Sequence, residues 1–151
     1  MAERPPAAPG PGSPAPAARN VPAGLGRGPG RLLLTLYGVF AVGATSRSVY
    51  QLSTRFQEAP LAYLLSAAAA VVYVVITVAL ARGGEGARRV AVVCCGAELA
   101  GVLTVGTWTV LDPAAFPDQT VWSQYGLGYL LLPLILPVVG LVWLRRSRRP
   151  A

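Results

Sequence analysis

The sequence predicts an all-α membrane protein, a four-helix transmembrane bundle with its N and C termini cytoplasmic, and three observations predict it. Four apolar stretches, at 32–52, 61–81, 90–111 and 124–144, divide the chain of 151 residues. Each is about the twenty residues that a helix needs to cross a hydrocarbon core of roughly 30 Å. Second, 54% of residues are hydrophobic and the mean hydropathy is +0.52, well above an ordinary soluble domain. Third, the basic residues fall almost entirely on one side of the four stretches, as the positive-inside rule requires.

Residues 1–30 hold most of the proline and much of the glycine, as in Pro5-Pro6-Ala7-Ala8-Pro9-Gly10-Pro11-Gly12. Such a segment buries too little apolar surface to offset its ordering entropy, and it is expected to be a disordered cytoplasmic tail. It lacks the apolar core of a secretory signal, so it is read as a tail ahead of the first span. Residues 31–146 are expected to form the four-span domain, and 147–151 a basic C-terminal tail.

Eleven of the thirteen arginines share one face of this arrangement: Arg4, Arg19, Arg27 and Arg31 before span one, Arg82, Arg88 and Arg89 between spans two and three, and Arg145, Arg146, Arg148 and Arg149 at the end. The first link on the other side has Arg55 balanced by Glu58, and the link 112–123 has two aspartates and no basic residue. Both ends of the chain are therefore placed in the cytoplasm, with an even number of crossings. The aromatic side chains Tyr50, Phe56, Tyr63, Trp108, Phe116, Trp122, Tyr125 and Tyr129 crowd the opposite interface, with Trp143, Tyr37 and Tyr73 assigned toward the inner one.

The links carry matching punctuation. Pro60 suits the first turn of span two, where a missing N–H costs nothing. The run Arg82-Gly83-Gly84-Glu85-Gly86 reads as a flexible turn, and Asp112-Pro113 stops span three. Ser123 is the expected N-cap of span four. The adjacent Cys94 and Cys95 point in different directions on a helix, so they are read as small packing residues rather than a disulfide.

The net charge of +7 does not form a stripe interleaved with aromatics, which excludes nucleic acid as the partner. The expected partners are the lipid bilayer, anionic lipid headgroups at the cytoplasmic face, and either another protein or further copies of this chain. The chain has no histidine, no Ser/His/Asp set, no phosphate-cradling glycine loop and no metal cluster, so neither an enzyme nor a cofactor is expected.

Two ionisable residues fall inside spans, where each costs roughly 2.5 to 3.5 kcal/mol near a helix centre. Glu98 lies near the midplane, about 12 Å into span three. Small neighbours (Gly96, Ala97, Ala100, Gly101 and Thr104) allow another helix to approach it. It reads either as a proton- or ligand-binding carboxylate or as a buried hydrogen-bonded acid. Arg47 falls in the polar run Thr45 to Gln51 of span one and either snorkels to the headgroups or pairs with Glu98 across the bundle. Span four carries Pro133 and Pro137, expected to kink it. At the outer end Gln51, Arg55, Gln57, Glu58, Asp112, Asp118 and Gln124, with Tyr125 and Tyr129, read either as the lining of a shallow cavity or as solvated loops.

The segments YGVFAVGATSRSVYQL, APLAYLLSA, GAELAGVLTVG and FPDQTVWSQYGLGYLLLPLILPVVGLVWLRR resemble uncharacterised small four-span integral membrane proteins of actinobacteria. The resemblance covers about residues 31 to 146 and excludes the tail. The arginine-for-lysine usage, with abundant Ala, Gly and Pro, likewise looks like high-GC bacterial coding. The resemblance implies a fold and a cell-membrane location but no activity, so it assigns no functional residue. Small multidrug-resistance transporters share only the size, because their membrane glutamate lies in the first span and Glu98 lies in the third. Two functions are thus expected from the sequence: a non-enzymatic structural or accessory membrane component, or a small oligomeric transporter or channel using Glu98 as a proton- or ligand-coupled carboxylate.

Overall fold

The structure, a computed structural model, describes residues 28–147. Residues 1–27 of the proline-rich tail expected to be disordered, and residues 148–151, lie outside the described residues; the tail's last residues, Pro29 and Gly30, instead open α1. Among those described, the chain is all-helical with no strand. Helix α1 spans Pro29–Thr54, α2 Pro60–Arg82, α3 Gly84–Leu111 and α4 Leu132–Arg146. Two short 3-10 elements, Pro113–Ala115 and Ser123–Tyr129, lie between α3 and α4. Helices α1, α2 and α3 are each long and apolar enough to cross a membrane; the 3-10 segment Ser123–Tyr129 with α4 makes a fourth candidate if that bent pair is one span.

Local chemistry sets the helix ends. Pro29 and Pro60 occupy the first turns of α1 and α2, where proline's fixed φ fits and its missing N–H is not needed. The link between α2 and α3 is tighter than the expected flexible turn. The turn is made by Gly83 (φ 66) and by Gly84 (φ 87), the first residue of α3, both at positive φ that glycine enters without a Cβ clash. Glu85 then belongs to the first turn of α3, where its carboxylate receives Arg88 at 2.7 Å and Arg89 at 3.4 Å. Helix α3 stops at Leu111, directly before the Asp112-Pro113 pair.

The helices form a ring in which α1 packs on α2, α2 on α3, and α3 on α4, with a slighter α4–α1 contact closing it. Small residues set the spacing. Ala41, Ala44 and Ser48 of α1 are buried, as are Ala62, Ser66, Ala69 and Ala70 of α2. At the arginine-rich end a Cβ on Gly30 would sit 2.5 Å from the Trp143 ring, so α1 meets α4 through that glycine. Arg88 Nη1 donates to the Leu144 carbonyl at 3.2 Å and ties α3 to the end of α4. Facing outward are Val42 and Val93, each 70% exposed, together with Val39, Val71 and Leu111. Outward hydroxyls are satisfied within their own helix: Thr104 donates to the Ala100 carbonyl and Thr107 to the Leu103 carbonyl, both at 2.7 Å.

The fourth apolar stretch departs from expectation. A continuous helix over 124–144 is replaced by the segment Ser123–Tyr129 and by α4, with a 97° bend between them. The bend is at Leu130 (φ 56) and Leu131 (φ 59), N-terminal to both prolines. Pro133 is not a mid-span kink but lies in the first turn of α4, while Pro137 lies inside it. The physical reason is that Pro133 within a longer helix would clash with the carbonyl four residues back, at Tyr129. Starting α4 at Leu132 places that proline where its missing N–H is harmless. With 15 residues, α4 is about 22 Å long.

Ser123 does not cap a helix; its Oγ accepts the Thr120 N–H at 2.8 Å and closes a turn. Gln124 and Tyr125 are left-handed too, at φ 49 and 61. Such non-glycine residues cost on the order of 1–3 kcal/mol each, so contacts with the rest of the bundle must hold them. One is close-fitting: a Cβ on Gly106 would lie 2.7 Å from Tyr125 Cδ1 and 2.8 Å from its backbone nitrogen. Gly106→Ala is therefore expected to destabilise the protein by about 1–3 kcal/mol. Gly96→Ala, where nothing lies within 4 Å, is expected to be neutral or stabilising. Denaturant titration in detergent micelles separates the two.

Candidate functional site

Glu98 lies halfway along α3 with none of its side chain exposed. Its Oε2 accepts a hydrogen bond from the Tyr37 hydroxyl at 2.9 Å, and that hydroxyl lies 3.7 Å from Cys95 Sγ. Cys95 is one turn before Glu98 on α3, and both it and Tyr37 are fully enclosed. Helix α4 reaches this point through Gly140, where a Cβ would stand 3.3 Å from Cys95 Sγ and 3.8 Å from Tyr37 Oη. The phenol thus joins α1 to α3 across the ring, through side chains alone.

A second tyrosine completes the cluster. Tyr73, on α2 and fully buried, neighbours both the carboxylate and Trp122. Its ring is 6.2 Å from Tyr37 and 5.6 Å, edge-on, from Phe40. Trp122 lies against Gly101, where a Cβ would be 2.8 Å from its Cη2. Glu98, Tyr73 and Trp122 bring their polar atoms together here, with Tyr73 between the other two, in contacts looser than the Tyr37–Glu98 bond. Chemically the cluster offers one carboxyl and two phenols that can hold or exchange a proton, with a thiol beside them. No group of three or more His, Cys, Asp or Glu among the described residues is arranged to hold a metal ion.

Arg47 is placed elsewhere. Its guanidinium donates to the Tyr129 hydroxyl and, at 3.0 Å, to the Gln119 carbonyl. The pairing with Glu98 is not formed; the ion pairs among the described residues are Arg55–Glu58, Arg88–Glu85 and Arg89–Glu85. Glu98 meets α1 at Tyr37, and Arg47 is ten residues further on, about 15 Å along the helix. Arg47 therefore ties α1 to the segment between α3 and α4.

At the same end of the bundle Gln51, Asp118 and Gln124 also act as ties, while Arg55, Gln57, Glu58 and Asp112 are exposed. Gln51 Nε2 donates to Asp118 Oδ2 at 3.4 Å, and Thr109 Oγ1 accepts the Gln124 N–H at 2.8 Å. Two apolar grooves open on the sides of the bundle, of about 310 Å³ between α1 and α2 and about 220 Å³ between α1 and Tyr129, and Glu98 lines neither.

Sequence reasoning found Glu98 but missed its partners. Tyr37 and Tyr73, expected toward the inner interface, are instead buried beside Glu98, whereas Cys95 is a free, buried thiol, as expected of a packing residue. The signal was present in Tyr73, which lies mid-span, where a hydroxyl has no water and needs a partner inside the protein. No family model, curated protein or solved structure matches this chain.

The geometry separates two couplings. Tyr37→Phe alone strands Glu98 Oε2 and is expected to destabilise by about 1–3 kcal/mol, a penalty largely absent when Glu98 is already leucine. Arg47→Ala and Glu98→Leu are expected to add within about 0.5 kcal/mol. Double-mutant cycles by reversible unfolding in micelles measure both; a strong Arg47–Glu98 coupling would contradict the arrangement described.

Proposed function

We propose that this chain is a multi-pass protein of the cell membrane, a non-enzymatic structural or accessory component with four spans and both termini in the cytoplasm. The observation that carries this reading is the apolar outer surface of the bundle, together with its enclosed polar centre. Aliphatic side chains such as Val39, Val42, Val71 and Val93 face outward, while Glu98, Tyr37 and Tyr73 are enclosed. A soluble fold would lose free energy on both counts; a bilayer rewards the first and forces the second. The orientation is supported by Arg31, Arg82, Arg88, Arg89, Arg145 and Arg146, which fall at the start of α1, the α2–α3 link and the end of α4. Anionic headgroups suit that end. The resemblance to small four-span actinobacterial membrane proteins remains part of this proposal.

An accessory role is favoured over transport because Glu98 is closed off and hydrogen-bonded, whereas α3 presents an open small-residue face. Gly96, Ala100 and Thr104 follow one another at four-residue spacing, all exposed, which lets a partner helix approach closely. The enclosed Glu98 carboxyl beside two tyrosine hydroxyls, those of Tyr37 and Tyr73, favours the second reading, a small oligomeric transporter or channel in which Glu98 couples to a proton or ligand. Glu98→Gln distinguishes them: an accessory protein keeps its partner and function or loses stability, while a transporter folds and loses flux. Affinity purification of the tagged protein from its native membrane is expected to recover a stoichiometric partner. Reporter fusions are expected to place residues 57 and 118 outside and residue 84 inside; the reverse pattern would overturn the orientation.

A further inference from the structure

The segment between α3 and α4 is held in an unfavourable conformation by the burial of Val121 and Trp122 and by a small set of hydrogen bonds. Gln124, Tyr125, Leu130 and Leu131 all have left-handed backbone, which bulky side chains avoid. The segment is pinned by Arg47, which bonds the Tyr129 hydroxyl and the Gln119 carbonyl. It is also pinned by Thr109, which takes the Gln124 N–H, and by Thr107, 3.0 Å from the Tyr125 hydroxyl. On its α1 side a groove of about 220 Å³, with Phe40, Gly43 and Val121 in its walls, runs beside it.

What the segment covers is the Glu98 cluster. Trp122, 6% exposed, lies on Gly101 about one turn from Glu98 toward the loop end, and it neighbours Tyr73. We propose that residues 119–131 form a plug closing the loop-side entrance to the Glu98 cluster, with Arg47 as its latch and Leu130–Leu131 as its hinge. When the latch opens, the hinge residues leave the left-handed region and Trp122 withdraws from Gly101, so the strain favours opening and the latch opposes it. Arg47 and Glu98 are then linked without touching: one holds the cover, and the other lies beneath it. The plug requires no transport activity, and from the proposed topology it takes only the side on which residues 112–122 lie.

Cys95 is a built-in reporter, fully enclosed within the cluster. In a Cys94→Ala background, the full chain in right-side-out and inverted membrane vesicles is treated with a charged, membrane-impermeant methanethiosulfonate. A separate Ala114→Cys variant, at an exposed position, marks the face that carries the loop. Cys95 is expected to be protected in the parent, and Arg47→Ala or Tyr129→Phe is expected to speed its modification from the loop face by on the order of tenfold. Arg55→Ala, which removes only the exposed pair with Glu58, is expected to leave the rate unchanged. Replacing Leu130 and Leu131 with glycine relieves the strain and is expected to restore protection to Arg47→Ala.

The plug is overturned if Cys95 stays equally protected in the folded latch variants, or if it is modified equally from both faces. Should Arg47→Ala fail to fold, Tyr129→Phe, which deletes a single hydroxyl, decides the matter. Labelling of Ala114→Cys from the unexpected face would overturn the topology alone, because the plug is judged by whether Cys95 reacts from the same face as that marker.

Discussion

A carboxyl group enclosed at the centre of four helices must find its hydrogen bonds inside the protein, and Glu98 finds one in the Tyr37 hydroxyl at 2.9 Å. That bond determines much of what surrounds it. It fixes the rotation of α1 and α3, since each must present its polar side chain inward, and it brings Cys95 and Gly140 to the same point. The aliphatic faces of both helices then turn outward together. In the membrane setting proposed here, no water can relieve a wrong rotation, so the penalty for misplacing this group is large.

The rest of the bundle adapts to that centre through small residues. Glycine stands where an aromatic ring must approach closely: Gly30 under Trp143, Gly101 under Trp122, and Gly106 under Tyr125. Each contact joins two elements at a level the sequence alone does not reveal. Together they hold α4 and the segment before it against α1 and α3, although α4 is short and Pro133 prevents it from extending backward as an unbroken helix.

The molecule is accordingly well satisfied at the arginine-rich end and poorly satisfied at the other. Near the α2–α3 link, Arg88 serves both Glu85 and the Leu144 carbonyl. Toward the loop end lie the Ser48 and Ser66 hydroxyls, without a partner among the described residues, and the left-handed Gln124 and Tyr125. Low satisfaction and backbone strain mark regions that open at lower free energy than the core, and here they adjoin the cluster that contains Glu98.

The sequence by itself determined the all-helical class, the three long apolar helices and their ends at Pro60 and Asp112-Pro113, because span length and proline chemistry are local properties. It also singled out Glu98 and Arg47, since a charge within an apolar run is conspicuous. It did not determine their partners. Whether Glu98 meets Arg47 or Tyr37 depends on how far α1 slides along its neighbours, and only packing fixes that offset. The broken fourth stretch was equally hidden: 124–144 reads as one apolar run, and Leu130 and Leu131 carry no local signal for the left-handed turn. The turn exists because Gly106 receives Tyr125, Thr109 takes the Gln124 N–H and Arg47 holds Tyr129, contacts that come into being only when the helices are assembled.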